Sequence, residues 1–339
     1  MSEELKAKTP SACKICGGRL TGFINNIFDD RHGYPGRFDI FRCTACGFGQ
    51  TVPEIPAEMI GEVYTRYYPR RNTIDLKAAQ EPVKLLSPGK RWLMGVNNTA
   101  HYHITRGTRV LDVGCGDCTS IREINAFGAE GYGIEPDRNI RELVDALQLK
   151  VHIGLFHEIP YPEHFFDFVT MSQVLEHIHD PVELLSSFRR ILKDDGKIII
   201  GVPNMDSRLR RQYGARWLNW HVPYHLNHFS RRSLQLLAAK SGYEVVKTLT
   251  YTPNLWVDLQ IKLANYPVQE GVRVPFFNGE PEPSDLPGHA GGRSIRRNLE
   301  DFINRRMGYL RHLKILALRA IDAAGVGESL LVFFEKQKN

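Results

Sequence analysis

The sequence has few cysteines and no long apolar run, and each shortage excludes a class of protein. Six cysteines in 339 residues are too few for a disulfide scaffold. No stretch approaches the roughly 18 uncharged apolar residues that a membrane span requires. The first residues, MSEELKAKTP, lack the apolar core of a secretory signal, which predicts a cytoplasmic protein. The apolar fraction of 42% and the charged fraction of 24% exclude a largely disordered chain.

The positive charge of the chain comes from one segment. The net charge is +6, and residues 291–320 alone contain eight basic and two acidic residues. The rest of the chain is therefore neutral, which argues against a nucleic-acid-binding protein with a broad cationic surface. Within 293–320, apolar residues recur at helical spacing between the arginines. This pattern predicts an amphipathic helix that packs on the neighbouring domain or, alternatively, lies on an anionic membrane surface.

Residues 106–251 alternate short β-rich runs with helical patterns. Apolar runs bounded by turn residues predict strands at 109–113, 131–134, 166–172 and 197–202. A helix is predicted over 181–192, because Asp180 is a good N-cap and Pro181 suits the first helical position. The alternation predicts an α/β fold with a mostly parallel sheet covered by helices on both faces. Such sheets bind ligands at the carboxyl ends of their strands.

Composition divides the chain into four regions. Residues 8–52 are rich in cysteine, glycine and turn residues and predict a small module, whereas 53–105 predict a linker and a helical lid. The sheet domain comprises 106–251 together with 325–336, because the apolar run near the carboxyl terminus has the pattern of a last strand. Residues 252–324 are then an insertion that contains the basic amphipathic helix.

A glycine loop follows the first predicted strand, and an acidic residue ends the next one. Gly114 and Gly116 let the backbone turn sharply and approach a ligand closely. Glu135 stands 19 residues after Gly116 and can accept hydrogen bonds from both hydroxyls of a ribose. A pyrophosphate-binding loop would have a third glycine in register and no acid, whereas this loop contains Asp117 and follows Asp112. The sulfonium and ammonium groups of S-adenosylmethionine suit such acidic neighbours, so the charges favour this cofactor.

Four motifs occur in order within residues 112–204: DVGCGDC, GYGIEPD, FDFVTMSQVLEHIHDP and LKDDGKIIIGVPN. This series resembles the class I S-adenosylmethionine-dependent methyltransferases. The resemblance implies a Rossmann-like domain with a mostly parallel seven-stranded sheet. It also implies that Asp112, Gly114 and Gly116 border the methionine moiety of the cofactor and that Glu135 holds the ribose. Members of the family often have a third glycine where this chain has Cys118.

Two C-x-x-C pairs lie near the amino terminus, and each is followed by glycine. Cys13 and Cys16 form the first pair, and Cys43 and Cys46 form the second. Two such knuckles make a tetrahedral four-cysteine zinc site without an open coordination position, which predicts a zinc ribbon whose metal is structural. Two redox-active pairs are the alternative. The same spacing recurs at Cys115 inside the glycine loop and is interpreted as coincidental.

Histidine and tyrosine residues concentrate in two stretches that follow predicted strands. VLEHIHDP contains Glu176 and His177, and NWHVPYHLNHFS contains Tyr224 and His225. Methyl transfer requires the acceptor to be held in line with the methyl group and, where needed, a base, and histidine serves as one near neutral pH. The second stretch is similar to a segment of methyltransferases from glycan clusters. This similarity implies that His225 is the general base and that Tyr224 assists it.

Two further details concern the same region. The stretch YTRYYP brings Tyr67 or Tyr68 within reach of the acceptor pocket. VLEHIHDP also resembles ubiquinone-pathway O-methyltransferases, in which two glutamates and a histidine bind a metal. Gln173 takes the place of the first glutamate here, so Glu176 and His177 are interpreted as residues that order the loop.

These features predict a zinc-ribbon methyltransferase that uses S-adenosylmethionine. Its expected acceptor is a nucleotide- or lipid-linked sugar, or another small polar metabolite, in glycan or natural-product biosynthesis. One alternative is an RNA or protein methyltransferase that docks its substrate through the ribbon. The other alternative is a non-catalytic partner subunit. The ribbon shows no base-stacking platform in a cationic groove, which disfavours RNA.

Overall fold

Two β-sheets organise the part of the chain that the structure, a computed structural model, describes: residues 12–68, 76–155, 161–278 and 312–338. The small sheet is antiparallel and has the order β1-β2-β3-β9. Its strands are β1 (Leu20–Ile27), β2 (Phe38–Cys43), β3 (Gly49–Val52) and β9 (Asn227–His228). The first three strands belong to the predicted ribbon, and the fourth comes from the segment that contains the predicted catalytic residues. The ribbon is therefore joined to the larger domain by strand pairing.

The large sheet has seven strands in the order β10-β11-β8-β7-β4-β5-β6. The five consecutive strands from β8 to β6 in this order are parallel to one another, and β11 runs antiparallel to both of its neighbours, β10 and β8. This topology confirms the expected mostly parallel seven-stranded sheet of a Rossmann-like methyltransferase. The strands are β4 (Arg109–Val113), β5 (Glu130–Glu135), β6 (Lys150–Ile153), β7 (Phe166–Ser172), β8 (Leu192–Pro203), β10 (Tyr243–Tyr251) and β11 (Ser329–Lys336).

Helices cover both faces of this sheet because its central strands are apolar on both sides. Ile198 and Ile200 belong to one buried cluster, and Ile199 between them belongs to another. One face packs against α6 (Pro181–Ile191) and α8 (Arg231–Lys240), and the other against α4 (Thr119–Phe127) and α5 (Arg141–Ala146). As predicted, the Asp180 side chain caps α6 by accepting a hydrogen bond from the Glu183 N–H, and Pro181 begins the helix.

The remaining helices lie before β4 and after β8 in the chain. Residues 53–105 contain α1 (Ala57–Arg66), α2 (Leu76–Gln80) and α3 (Pro88–Met94). Further helices are α7 (Arg208–Tyr213), α9 (Asn254–Ala264), α10 (Pro275–Asn278) and α11 over 312–323. The segment before α10 packs on the ribbon, since the Val274 N–H donates to the Arg31 carbonyl at 2.8 Å.

The predicted basic helix over 293–320 lies mostly outside the described residues. Its described end belongs to α11, in which Ile315 and Leu318 are buried. Leu318 belongs to the same apolar cluster as Trp217 and Val257. Arg319 belongs to the basic segment, yet it is 8% exposed and donates to the Trp92 carbonyl at 2.9 Å. Among the described residues, every helix is too short or too polar to cross a membrane.

Candidate active site and cysteine cluster

The chain turns sharply between β4 and α4, at the glycines that the sequence predicts to bind the cofactor. Gly114 has a φ of 70° and donates its N–H to the Ile134 carbonyl at 2.8 Å. A Cβ atom at this position would lie 2.6 Å from Val174 Cγ2, so only glycine fits here. The Gly116 N–H donates to Glu135 Oε2 at 2.9 Å. The glycine loop is therefore tied to the predicted ribose-binding acid on β5 and packs against the turn after β7.

Asp112 lies on β4, two residues before the first glycine of this loop. Its side chain is 4% exposed, and its two oxygens accept hydrogen bonds from Ser120 Oγ and Thr170 Oγ1, each at 2.5 Å. Burial raises the pKa of this carboxyl, and the two hydroxyl donors partly offset the effect. Asp112 thus joins β4 to α4 and β7, while its contact with the cofactor stays a prediction. Cys118 has a φ of 59°, a conformation that explains the preference of the family for glycine at this position.

A group of buried and half-buried histidine and tyrosine rings, called here the ring cluster, lies where the ribbon meets the loops after β7 and β8. The turn that touches the glycine loop through Val174 continues directly into His177, whose ring centroid is 4.8 Å from that of His225. Tyr224 contacts Tyr68, at 5.1 Å between ring centroids. The members come from four distant segments of the chain: His32, Tyr64, Tyr68, His177, His221, Tyr224 and His225.

The predicted base, His225, is buried and its tautomer follows from its hydrogen bonds. Nδ1 lies 2.9 Å from the Asn219 carbonyl oxygen, which can only accept, so the proton is assigned to Nδ1. Nε2 is then unprotonated and lies 3.4 Å from His221 Nδ1 and 3.9 Å from Glu176 Oε1. Burial and the neighbouring imidazoles hold the pKa of His225 well below its usual range. His225 is therefore neutral at pH 7.

Tyr224, the predicted assistant, donates its hydroxyl to a buried carboxylate of the ribbon. Its oxygen lies 3.4 Å from Asp29 Oδ2, and burial together with Asp29 raises the pKa of Tyr224 above its usual range. Asp29 is 1% exposed and accepts three backbone N–H groups at 2.9–3.0 Å, from Arg31, His32 and Tyr34. The tyrosine consequently stays protonated at neutral pH and acts as a hydrogen-bond donor.

Glu176 and His177 are also neighbours of His225. Glu176 is completely buried, and neither of its carboxyl oxygens has a hydrogen-bond partner among the described residues. This burial raises its pKa to about 8. His177 Nδ1 lies 2.9 Å from the Tyr224 carbonyl oxygen, so it carries the proton, and burial lowers the pKa of His177 to about 4. One side-chain nitrogen or oxygen from each of Glu176, His177 and His225 lies within 4.8 Å of the others.

The sequence alone did not reveal every member of the site. Asp29 and His32 come from the ribbon, in the stretch DDRHGYPG, whose residue types indicate only a turn. Of the two expected tyrosines, Tyr68 joins the ring cluster, whereas Tyr67 packs against Tyr34 at 5.0 Å between ring centroids. The only available signal was the density of aromatic and histidine residues, because the contacts form between segments far apart in sequence.

The four amino-terminal cysteines form a compact cluster of sulfur atoms. Cys13 Sγ lies 3.6 Å from Cys46 Sγ, and Cys16 Sγ lies 3.5 Å from Cys43 Sγ. Gly17 and Gly47, which follow the two pairs, have positive φ angles of 71° and 73°. Each donates its N–H to the backbone carbonyl of the first cysteine of its pair. The Cys46 thiol donates to Cys13 and lowers the pKa of Cys13 to about 5. This arrangement is compatible with a zinc ribbon, since thiolates at such distances are suitable zinc ligands.

Comparison with known proteins assigns the family. A family model described as a methyltransferase domain matches residues 74–248. An uncharacterized protein of Methanocaldococcus jannaschii is 26% identical over 43% of this chain and 68% of its own length. Demethylmenaquinone methyltransferase of Bacillus mycoides is 34% identical over 27% of this chain and 44% of its own length. An uncharacterized methyltransferase of Schizosaccharomyces pombe is 28% identical over 28% of this chain and 40% of its own length.

Solved structures are also similar to the chain. A methyltransferase from Haloferax volcanii, in complex with the Trm112 activator, is 14% identical with a TM-score of 0.45, over 74% of this chain and 91% of that chain. The [4+2]-cyclase SpnF is 16% identical with a TM-score of 0.47, over 85% of this chain and 98% of that chain. Because the methyltransferase family model covers more than half of the 339 residues, the chain belongs to the S-adenosylmethionine-dependent methyltransferases.

Proposed function

We propose that the chain transfers a methyl group from S-adenosylmethionine to a hydroxyl of a small polar acceptor, such as a nucleotide- or lipid-linked sugar, bound against the ring cluster. One observation carries this proposal: the turn whose Val174 packs on Gly114 continues within three residues to His177. A methyl group presented at the glycine loop is therefore close to the hydrogen-bonding side chains of the ring cluster. Buried hydrogen-bonding groups discriminate strongly for polar acceptors, because an apolar ligand would leave them unpaired.

The cofactor site consists of the glycine loop and the acid of β5. Gly114 and Gly116 would border the methionine moiety, next to Asp112, which is fixed by its hydrogen bonds to Ser120 and Thr170. Glu135 would exchange its hydrogen bond from the Gly116 N–H for hydrogen bonds from the ribose hydroxyls. The cofactor supplies the methyl group on a positively charged sulfur. Isothermal titration with S-adenosylmethionine tests this assignment, and Glu135→Gln should weaken binding at least tenfold. Binding at wild-type strength in that variant would contradict the ribose assignment.

His225 is proposed as the group that accepts the proton of the acceptor hydroxyl. Its unprotonated Nε2 lies 3.9 Å from Glu176 Oε1. An imidazolium that forms there would favour the charged form of this carboxyl and would be stabilised by it in turn. Tyr224 stays protonated, and its hydroxyl can exchange Asp29 Oδ2, 3.4 Å away, for the acceptor as its hydrogen-bond partner. The proton leaves the hydroxyl for Nε2 as the oxygen takes the methyl group, so charge does not accumulate on the oxygen.

The test of this role is the turnover of His225→Ala. General-base catalysis contributes on the order of 100- to 10,000-fold, so we expect a loss of that size while cofactor affinity is unchanged. His164→Ala is the matched control, because His164 is an exposed histidine beside Asp194 on the surface. Acceptors are supplied as panels of sugar nucleotides, small metabolites, RNA and peptides. Methylation of RNA or peptide alone would replace the proposed acceptor class.

We also propose that Cys13, Cys16, Cys43 and Cys46 hold a structural zinc ion. All four sulfurs are already gathered, and three of the four residues are buried. The ion would keep the ribbon folded, and the ribbon in turn supplies Asp29 and His32 to the ring cluster. Its role in the reaction is therefore indirect, through the position of these two residues.

A further inference from the structure

We infer that Glu176, His177 and His225 form a second metal site, separate from the cysteine cluster, that binds a divalent transition-metal cation. The inference rests on the proposed function and deepens it, because it names the group that activates the acceptor. With a cation bound, His225 would be a ligand in place of a proton acceptor, and the cation would supply the Lewis acidity that promotes proton loss from the hydroxyl.

The carboxyl group of Glu176 supplies the first argument. It is 0% exposed, and both of its oxygens are without a hydrogen-bond donor among the described residues. The other buried carboxylates differ: Asp29 accepts three N–H groups, Asp112 accepts two hydroxyls, and Glu328 accepts the Trp217 indole N–H at 2.7 Å. A buried polar group without a partner is costly, and a buried charge more so. A cation at Glu176 removes this cost.

The two histidines supply the second argument. Each donates its Nδ1–H to a backbone carbonyl, His225 to Asn219 and His177 to Tyr224, both at 2.9 Å. This pattern leaves Nε2 unprotonated in both rings, and it is the usual outer support of metal-binding histidines. The Tyr64 hydroxyl also lies 2.8 Å from His177 Nδ1, and His221 Nδ1 lies 3.4 Å from His225 Nε2, a contact that a cation at Nε2 would displace. The Leu226 N–H also donates to the Glu176 backbone carbonyl at 2.9 Å. The two segments that provide the ligands are thus held together by the backbone.

The distances are close to those of a metal site. Ligand atoms around a tetrahedral zinc ion, each roughly 2.1 Å from the metal, are roughly 3.4 Å apart. Glu176 Oε1 and His225 Nε2 are 3.9 Å apart, and the three ligand atoms all lie within 4.8 Å of one another. Shifts of the side-chain atoms by about an ångström would bring them to the separations of zinc ligands. The backbone hydrogen bond between the two segments already keeps the side chains this close.

The donor set indicates the kind of cation. Two imidazoles and one carboxylate suit zinc, iron and related divalent ions, whereas magnesium and calcium prefer oxygen ligands. Three protein ligands leave at least one position open, as in catalytic rather than structural zinc sites. A hydroxyl bound at that position loses its proton more readily.

The experiment counts metal ions in the full-length protein. Protein equilibrated with zinc and then desalted should contain two zinc ions per chain by elemental analysis, and Glu176→Gln should contain one. The matched control is Glu328→Gln, which alters a buried carboxylate that already has hydrogen-bond donors, and it should retain two. One zinc per chain in the wild type, or two in Glu176→Gln, would overturn the inference.

Cobalt titration of the wild type gives an answer even if Glu176→Gln does not fold. Cobalt in the cysteine cluster produces thiolate charge-transfer absorption. A second equivalent in a nitrogen- and oxygen-liganded site adds only weak ligand-field absorption. Saturation of all absorption after one equivalent would refute the second site. If the wild type holds one ion and His225→Ala still abolishes turnover, the metal inference fails and the proposed function stands; if S-adenosylmethionine does not bind, the proposed function fails whatever the metal count.

Discussion

The stability of the chain should depend on pH through His228, which lies on the strand that joins the ribbon to the large domain. His228 is 3% exposed and pairs with Gly49 of β3. Its Nε2 lies 3.0 Å from Thr51 Oγ1, and the Thr51 hydroxyl itself donates to the His225 carbonyl. Nε2–H of a neutral imidazole therefore donates to Thr51. Burial lowers the pKa of His228 to about 3, because protonation would place a charge in this interior.

The sign of the effect follows from proton binding in the two states. In the unfolded chain this histidine has a pKa of about 6.5 and takes up a proton as the pH falls below that value. The folded chain takes it up only near pH 3, so the stabilisation is present above pH 6.5 and is lost as the pH falls. At pH 4.5, two units below the unfolded pKa, the loss from this one residue is about 3 kcal/mol.

The assay is urea unfolding of the wild type and His228→Gln between pH 7.5 and 4.5. Glutamine can still donate to Thr51 but does not titrate. We expect the difference in the free energy of unfolding between the two proteins to shrink by about 3 kcal/mol over this range. Other buried histidines, such as His32 with a pKa near 3, and proton competition at the cysteines affect both proteins alike. Parallel pH curves would refute the reasoning.

Three further predictions concern the cofactor loop, the ribbon and the interface of α11. Gly114→Ala should weaken S-adenosylmethionine binding at least tenfold by titration calorimetry, whereas Gly61→Ala, whose Cβ meets nothing within 4 Å, should leave the affinity unchanged. Equal affinities in the two variants would contradict the loop assignment. Cys43→Ser should reduce the zinc content of the cysteine cluster and lower the melting temperature in a thermal scan, and full zinc retention would count against the ribbon site. Arg319→Met should lower the free energy of unfolding in urea by roughly 3 kcal/mol, because Asp322, with its side chain 9% exposed, loses its cationic partner. A decrease below about 1 kcal/mol would mean that the pair contributes little to stability.

The elements of the sheet and the cofactor loop were determined by local sequence. Apolar runs bounded by glycine, proline and acidic residues predicted β4, β5, β7, β8 and β11, and the Asp180–Pro181 pair predicted the start of α6. These signals are reliable because strand burial, helix capping and tight glycine turns depend on residues adjacent in sequence. The four cysteines were predicted to cluster for a similar reason, since each C-x-x-C pair forms its own turn.

The chemistry of the site was decided by tertiary structure. Asp112 follows the family motif, yet its burial against Thr170 depends on the neighbouring β7, which no local pattern specifies. Gln173 suggested that Glu176 and His177 lack a third metal ligand, but folding brings His225 to them from a distant loop. Burial without partners and convergence of remote loops are properties of the packed chain, so they could be read only from the tertiary structure.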